Sequence, residues 1–124
     1  MRRFVEARLD ELKVERASQY GVVLAVDELV SNVLEHGYQG AAGLLEITII
    51  RTGQDLVITL RDDAPPFNPL TVPEPDTAAP LEKRPIGGLG VFLAKHYLDS
   101  IKHRVTVQGG NELQLTKRDI FQSN

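Results

Sequence analysis

All seven prolines of this chain fall between Pro65 and Pro85. Proline lacks a backbone N–H and fixes φ, so such a run is neither a helix nor a central strand. A stretch of about 20 residues without periodicity is uncommon inside a compact fold and is usually a functional lid or disordered. The prolines therefore divide the regular part of the chain in two.

Before them, residues 2–19 read as a helix with Val5, Leu9 and Leu12 on one stripe, and Tyr20-Gly21 reads as its break. A second helix is expected from about Val22 to His36, ended by Gly37. Leu44 to Arg51 and Leu56 to Arg61 are rich in branched residues and read as strands turned by Thr52-Gly53-Gln54-Asp55. After the prolines, Gly87-Gly88-Leu89-Gly90 opens a helix whose period runs through Val91, Ala94, Leu98 and Ile101. A second hairpin follows, Arg104 to Gln108 and Glu112 to Lys117 around Gly109-Gly110-Asn111, and the tail to Asn124 is expected to fray. This order implies an α/β fold: a two-layer sandwich with a mixed, mainly antiparallel sheet and three helices on one face. The expected organisation is a single domain over 1–124 with a lid at about 64–86.

A length of 124 residues, 42% apolar and 25% charged, suits one soluble core. The net charge of −3 gives no reason to expect nucleic acid or an anionic membrane as partner. The absence of cysteine removes disulfides, thiolate metal sites and a cysteine nucleophile together. No apolar run reaches the ~18–20 residues of a membrane span, and no signal-peptide core follows Met1. The expected location is the cytoplasm.

Three clusters can carry chemistry. On the second helix, Val22, Val26, Leu29, Val30 and Val33 form the apolar side, while Glu28, Asn32 and His36 stack four apart on another stripe. Such a stripe also describes a solvated helix face, although asparagine is a poor mid-helix residue. His36 suits the negative end of the helix dipole without further function. Asp62-Asp63 stands where a strand meets the prolines, as a turn acid or as an acceptor held at a rigid strand end. The glycines at 87–90 precede a helix, where unpaired N–H groups suit a phosphate. They are followed by no Gly-Lys-Ser/Thr, and a dinucleotide fingerprint is incomplete.

Taken in order, these boxes resemble the GHKL (Bergerat-fold) ATPase superfamily, which includes gyrase and the histidine kinases. Within it they look most like the small bacterial anti-sigma-factor serine/threonine-protein kinases. The boxes are DELVSNVLEHGY with Glu28 and Asn32, LRDDAPPFNP with Asp62, RPIGGLGVFLAKHYLD with the glycines, and the closing GGNELQLTK. The resemblance covers roughly residues 2–118. It implies Glu28 as general base, Asn32 as ligand of Mg²⁺, and Asp62 as acceptor of the adenine amino group. It implies Gly87, Gly88, Leu89 and Gly90 around the phosphates of ATP or ADP, with Ala64 and Thr116 also lining the nucleotide. Two departures stand out. The family glycine after the aspartate is Ala64, which implies reduced rather than lost binding, and no arginine directly precedes the glycines.

Two readings stay open. One is a kinase acting on a small STAS-type anti-anti-sigma antagonist while also holding a sigma factor, as a homodimer. The other is a nucleotide-gated binding module without transfer. An intact Glu28 favours the first, and the missing arginine favours the second.

Overall fold

The computed structural model describes residues 1–38, 43–71 and 88–121. Among them are three α-helices and four strands: α1 (Arg2–Glu11), α2 (Arg16–Asn32), β1 (Leu45–Thr52), β2 (Asp55–Asp62), α3 (Gly88–Tyr97), β3 (Ser100–Val105) and β4 (Asn111–Lys117). The strands form one sheet in the order β1-β2-β4-β3. Every pairing is antiparallel, so the mixed sheet expected from the sequence is not found among the described residues.

Period-2 alternation sends Leu56, Ile58, Leu60 and Asp62 of β2, and Asn111, Leu113 and Leu115 of β4, to one buried face. The helices cover that face, and Val5, Leu9, Val22, Val26, Leu29, Val91 and Ala94 join the sheet residues in one core. The outer face mixes charged and hydroxyl side chains with Ile50 and Val57.

The first helix ends earlier than its apolar stripe suggests. Lys13 takes φ +65°, its N–H reaches Asp10 O (3.0 Å), and the Val14 N–H reaches Leu9 O (2.9 Å). This is a Schellman cap with lysine where glycine is usual, sealed by buried Val14. Gln19 then ties the two helices, its Nε2 donating to Asp10 Oδ1 (2.8 Å) and Val14 O (3.0 Å). Tyr20-Gly21, expected as a break, lies inside α2. A methyl at Gly21 would strike the Tyr97 ring, so this glycine lets α3 approach α2. Burial, followed by the charge of Asp99, raises the Tyr97 phenol pKa, and its hydroxyl donates to Ser18 O (3.0 Å).

Two further boundaries move. Ile101 fits the helix period with Leu98, yet it belongs to β3, opposite Leu115. The third strand therefore starts at Ser100, and Val107 is 98% exposed in the following turn. Residues 118–121, expected to fray, are tied down: the Phe121 N–H bonds Gln54 O (3.2 Å), and the Arg51 guanidinium lies 4.2 Å from the Phe121 ring centre.

Candidate functional site

The end of α2 is the first half of the site. Asn32 is its last residue and is only 4% exposed, and a π-helical turn over Val33–Gly37 follows. Isolated π turns of this kind recur at functional sites. Among the described residues, neither Asn32 Nδ2 nor Oδ1 has a hydrogen-bond partner. Leaving a buried polar group unpaired costs about 1–3 kcal/mol, so a fold normally avoids it. Glu28 lies one turn earlier and is half-buried. A methyl at Gly90 would collide with its carboxylate, so the first turn of α3 rests directly on Glu28. The two helices leave a narrow groove of about 160 Å³ beside Glu28, walled by Leu24, Leu93 and Tyr97.

The second half is the end of β2. Asp62, 6% exposed, points to the helix-covered side. Its Oδ1 accepts the Ala64 N–H (2.9 Å) and Asn111 Nδ2 (2.9 Å). Asn111 faces Asp62 directly across the β2–β4 ladder. The same amide reaches Ala64 O and Pro65 O (both 3.2 Å), and its Oδ1 accepts the Phe67 N–H (2.9 Å). Ala64 is 1% exposed, so its methyl fills the corner that a glycine would leave open. Gly110 closes the other side: a methyl there would meet the Asp62 carbonyl oxygen.

Tyr38 brings the halves to one end of the molecule. Its hydroxyl donates to Leu44 O (2.6 Å) and accepts the Asp63 N–H (2.7 Å), so the turn after α2 is fastened beside Asp62. A larger hollow of about 460 Å³ opens at this end among Glu46, Arg61, Asp63 and Arg104, without Glu28 or Asn32 in its wall. Glu46, Arg61 and Arg104 belong to the exposed side of the sheet, away from the helices.

The described sequence-predicted positions meet in two separate groups. Glu28 meets Gly90, Asp62 meets Ala64, and Gly88 and Leu89 form the first turn of α3. Gly87 lies outside the described residues, as does the expected lid over 72–86. Its root at 64–71 is described and includes a short 3₁₀ turn, Pro69–Thr71. The His36 side chain is likewise outside them. Thr116 joins neither group: it pairs with Val57 and Ser100, five residues along β4 from Asn111 and on the opposite face. Asn111 occupies the place beside Asp62 instead. Sequence reading missed it because Asn111 sits in a Gly-Gly-Asn turn signal, while its partner lies 49 residues away.

The donor set fits a hard cation. An amide oxygen without a partner suits Mg²⁺, which prefers oxygen ligands and retains several waters or phosphate oxygens. No group of three or more His, Asp or Glu among the described residues is arranged to hold a metal by itself. A cation here would therefore take Asn32 together with ligands that the nucleotide brings.

The model of the histidine kinase-like ATPase domain family matches residues 1–117, and the chain belongs to that family. It is thus a nucleotide-binding, kinase-like module. No curated protein sequence matches the chain. Among solved structures, the blue-light activated histidine kinase EL346 of Erythrobacter litoralis is similar with a TM-score of 0.56 at 18% identity, over 88% of this chain and 33% of that one. A structure of the histidine kinase domain from the same protein gives 0.52 at 18% identity, over 82% and 45%. The chain spans less than half the length of either structure, and at this identity the likeness is one of fold. Among the described residues, no helix is long and apolar enough to cross a membrane.

Proposed function

We propose that the chain is an ATP-dependent protein serine/threonine kinase of the anti-sigma-factor type. It would phosphorylate a hydroxyl on a small STAS-type antagonist and also hold a sigma factor. The observation that carries this reading is the unpartnered Asn32 amide one turn from Glu28. A buried amide kept without a partner is understandable where a ligand completes it.

On this reading Asn32 Oδ1 would help to hold Mg²⁺, which would supply positive charge against the phosphates. The N–H groups at the start of α3 (Gly88, Leu89, Gly90) would face the phosphate oxygens. Asp62 Oδ2, which has no hydrogen-bond partner among the described residues, accepts from the adenine amino group. Glu28, braced on Gly90, takes the proton of the acceptor hydroxyl as its oxygen attacks the γ-phosphorus, and ADP leaves. The reading includes a homodimer through α1 and β1. Its support is an apolar groove of about 450 Å³ lined by Phe4, Val30, Leu34 and Ile47, beside a strand that among the described residues pairs only with β2. Sedimentation equilibrium of the full chain tests the dimer, and a monomer at micromolar concentration would remove it from the reading.

The second reading, a nucleotide-gated binder, is supported by Ala64 and by the absence of an arginine directly before Gly87. One experiment separates the two. The protein is incubated with labelled ATP, Mg²⁺ and candidate antagonists, beside Glu28→Gln. Label on an antagonist that falls by about 10²–10⁴-fold in Glu28→Gln supports the kinase. ATP binding without transfer to any candidate supports the binder, and no ATP binding defeats both.

A further inference from the structure

Asn111 stands at the centre of a bonded chain that crosses three strands. Two backbone carbonyls lie on its Nδ2 side and the Phe67 N–H on its Oδ1 side, so the amide has one orientation. His103, on edge strand β3, places Nε2 2.8 Å from that same Oδ1. An amide oxygen only accepts, so His103 Nε2 carries a proton and donates. The order of donation is His103 to Asn111 to Asp62, with the Phe67 N–H joining at the amide oxygen.

We propose that His103 is a positioning residue for base recognition, acting through Asn111 on Asp62 and on the backbone at 64–67. The inference rests on the nucleotide reading of Asp62 given above. With the His103 bond in place, Asn111 Oδ1 is held by two donors, and the amide cannot turn away from Asp62. Without it, a single backbone N–H remains on that oxygen. The Asp62 carboxylate then loses its fixed aim, and the segment after β2 loses part of its tether. His103 is half-buried on an edge strand, so its removal leaves the core intact. Its effect is therefore on selectivity: adenine offers an amino donor to Asp62, whereas guanine offers a carbonyl at the same place.

The test compares wild type, His103→Ala and His103→Gln, the last restoring an N–H donor. Calorimetry gives affinities for ADP and GDP, and NMR gives hydrogen exchange at the Ala64 and Phe67 amides without nucleotide. His103→Ala should weaken ADP by about three- to tenfold, the change that one lost hydrogen bond gives. It should narrow the preference for ADP over GDP and speed exchange at Phe67, and His103→Gln should recover all three. Unchanged ADP affinity, or equal losses for ADP and GDP, overturns the inference alone. A wild-type protein that binds neither nucleotide overturns the nucleotide reading, and the inference with it.

Discussion

Asn32 and Asp62 are buried to nearly the same degree, 4% and 6% exposed, and the fold treats them in opposite ways. Asp62 sits in a finished corner, where Oδ1 takes two hydrogen bonds and the surrounding amides and carbonyls are shared with Asn111. Asn32 has no partner on either polar atom among the described residues. Folding alone explains the Oδ1 side of the first, because the groups that meet there are paired again. It does not explain the second, which is held at a cost of about 1–3 kcal/mol per unpaired group. On the proposed reading, the difference separates a base-binding end whose Oδ1 side the protein completes by itself from a phosphate end that a ligand must complete.

The largest expected effect comes from removing that unpaired amide. Asn32→Leu keeps the shape and deletes the desolvation cost, so it should raise thermal stability, at about 3–6 °C per kcal/mol for a chain of this size. It should also lower Mg²⁺-dependent affinity for ADP by at least the ~10–100-fold that supporting partners of metal sites carry. Calorimetry with and without Mg²⁺, beside circular dichroism melts, reads both. A less stable Asn32→Leu would break the comparison, because the amide would then already be paired in the free protein.

The opposite sign is expected at the finished corner. Asn111→Ala strips the Phe67 N–H and Asp62 Oδ1 of their partner, and should destabilise the nucleotide-free protein by about 1–3 kcal/mol in urea unfolding. If stability is unchanged, the corner is not the preassembled unit described here.

Sequence pattern made one of these two places legible and hid much of the other. Glu28 and Asn32 stand out because helix period puts them on one stripe, and the hairpins stand out because branched residues alternate between turn residues. Local pattern fails where the deciding partner is distant or the local signal is atypical. The end of α1 is masked because lysine, not glycine, takes the left-handed position at Lys13. Gly21 looks like a breaker, yet its role is to admit the Tyr97 ring, 76 positions later. Ile101 fits both a helix with Leu98 and a strand opposite Leu115, and the sheet register decides between them. Asn111 is invisible as a site residue for the same reason: only the register with Asp62 gives it a role, while Thr116, in the same strand, is turned to the other face and the other end.

The smallest effect tests whether the Asp62 corner is also braced from outside. Glu112 follows Asn111 on β4 and points to the outer face, where it accepts from Arg104 Nε (2.6 Å) and Arg61 Nε (2.7 Å). Hydrogen bonds from Arg104 and then Arg61 hold its carboxyl below its ordinary pKa, against a smaller opposing effect of burial. A carboxylate whose folded pKa is lowered stabilises the fold above its unfolded pKa. That stability is lost as pH falls through the folded value. Both guanidiniums are about half exposed, 53% and 55%, so solvent screening limits the gain to under about 1 kcal/mol. Melts of wild type and Glu112→Gln should therefore differ by a few degrees at pH 7, hold that difference down to about pH 5, and converge below the ordinary glutamate value of about 4.3. ADP affinity at pH 7 should be the same in both proteins, because the bonds that aim Asp62 all lie on the inner face. A loss of ADP affinity in Glu112→Gln at unchanged stability would show that the outer ion pairs also aim the carboxylate, and the finished corner would then extend through the sheet.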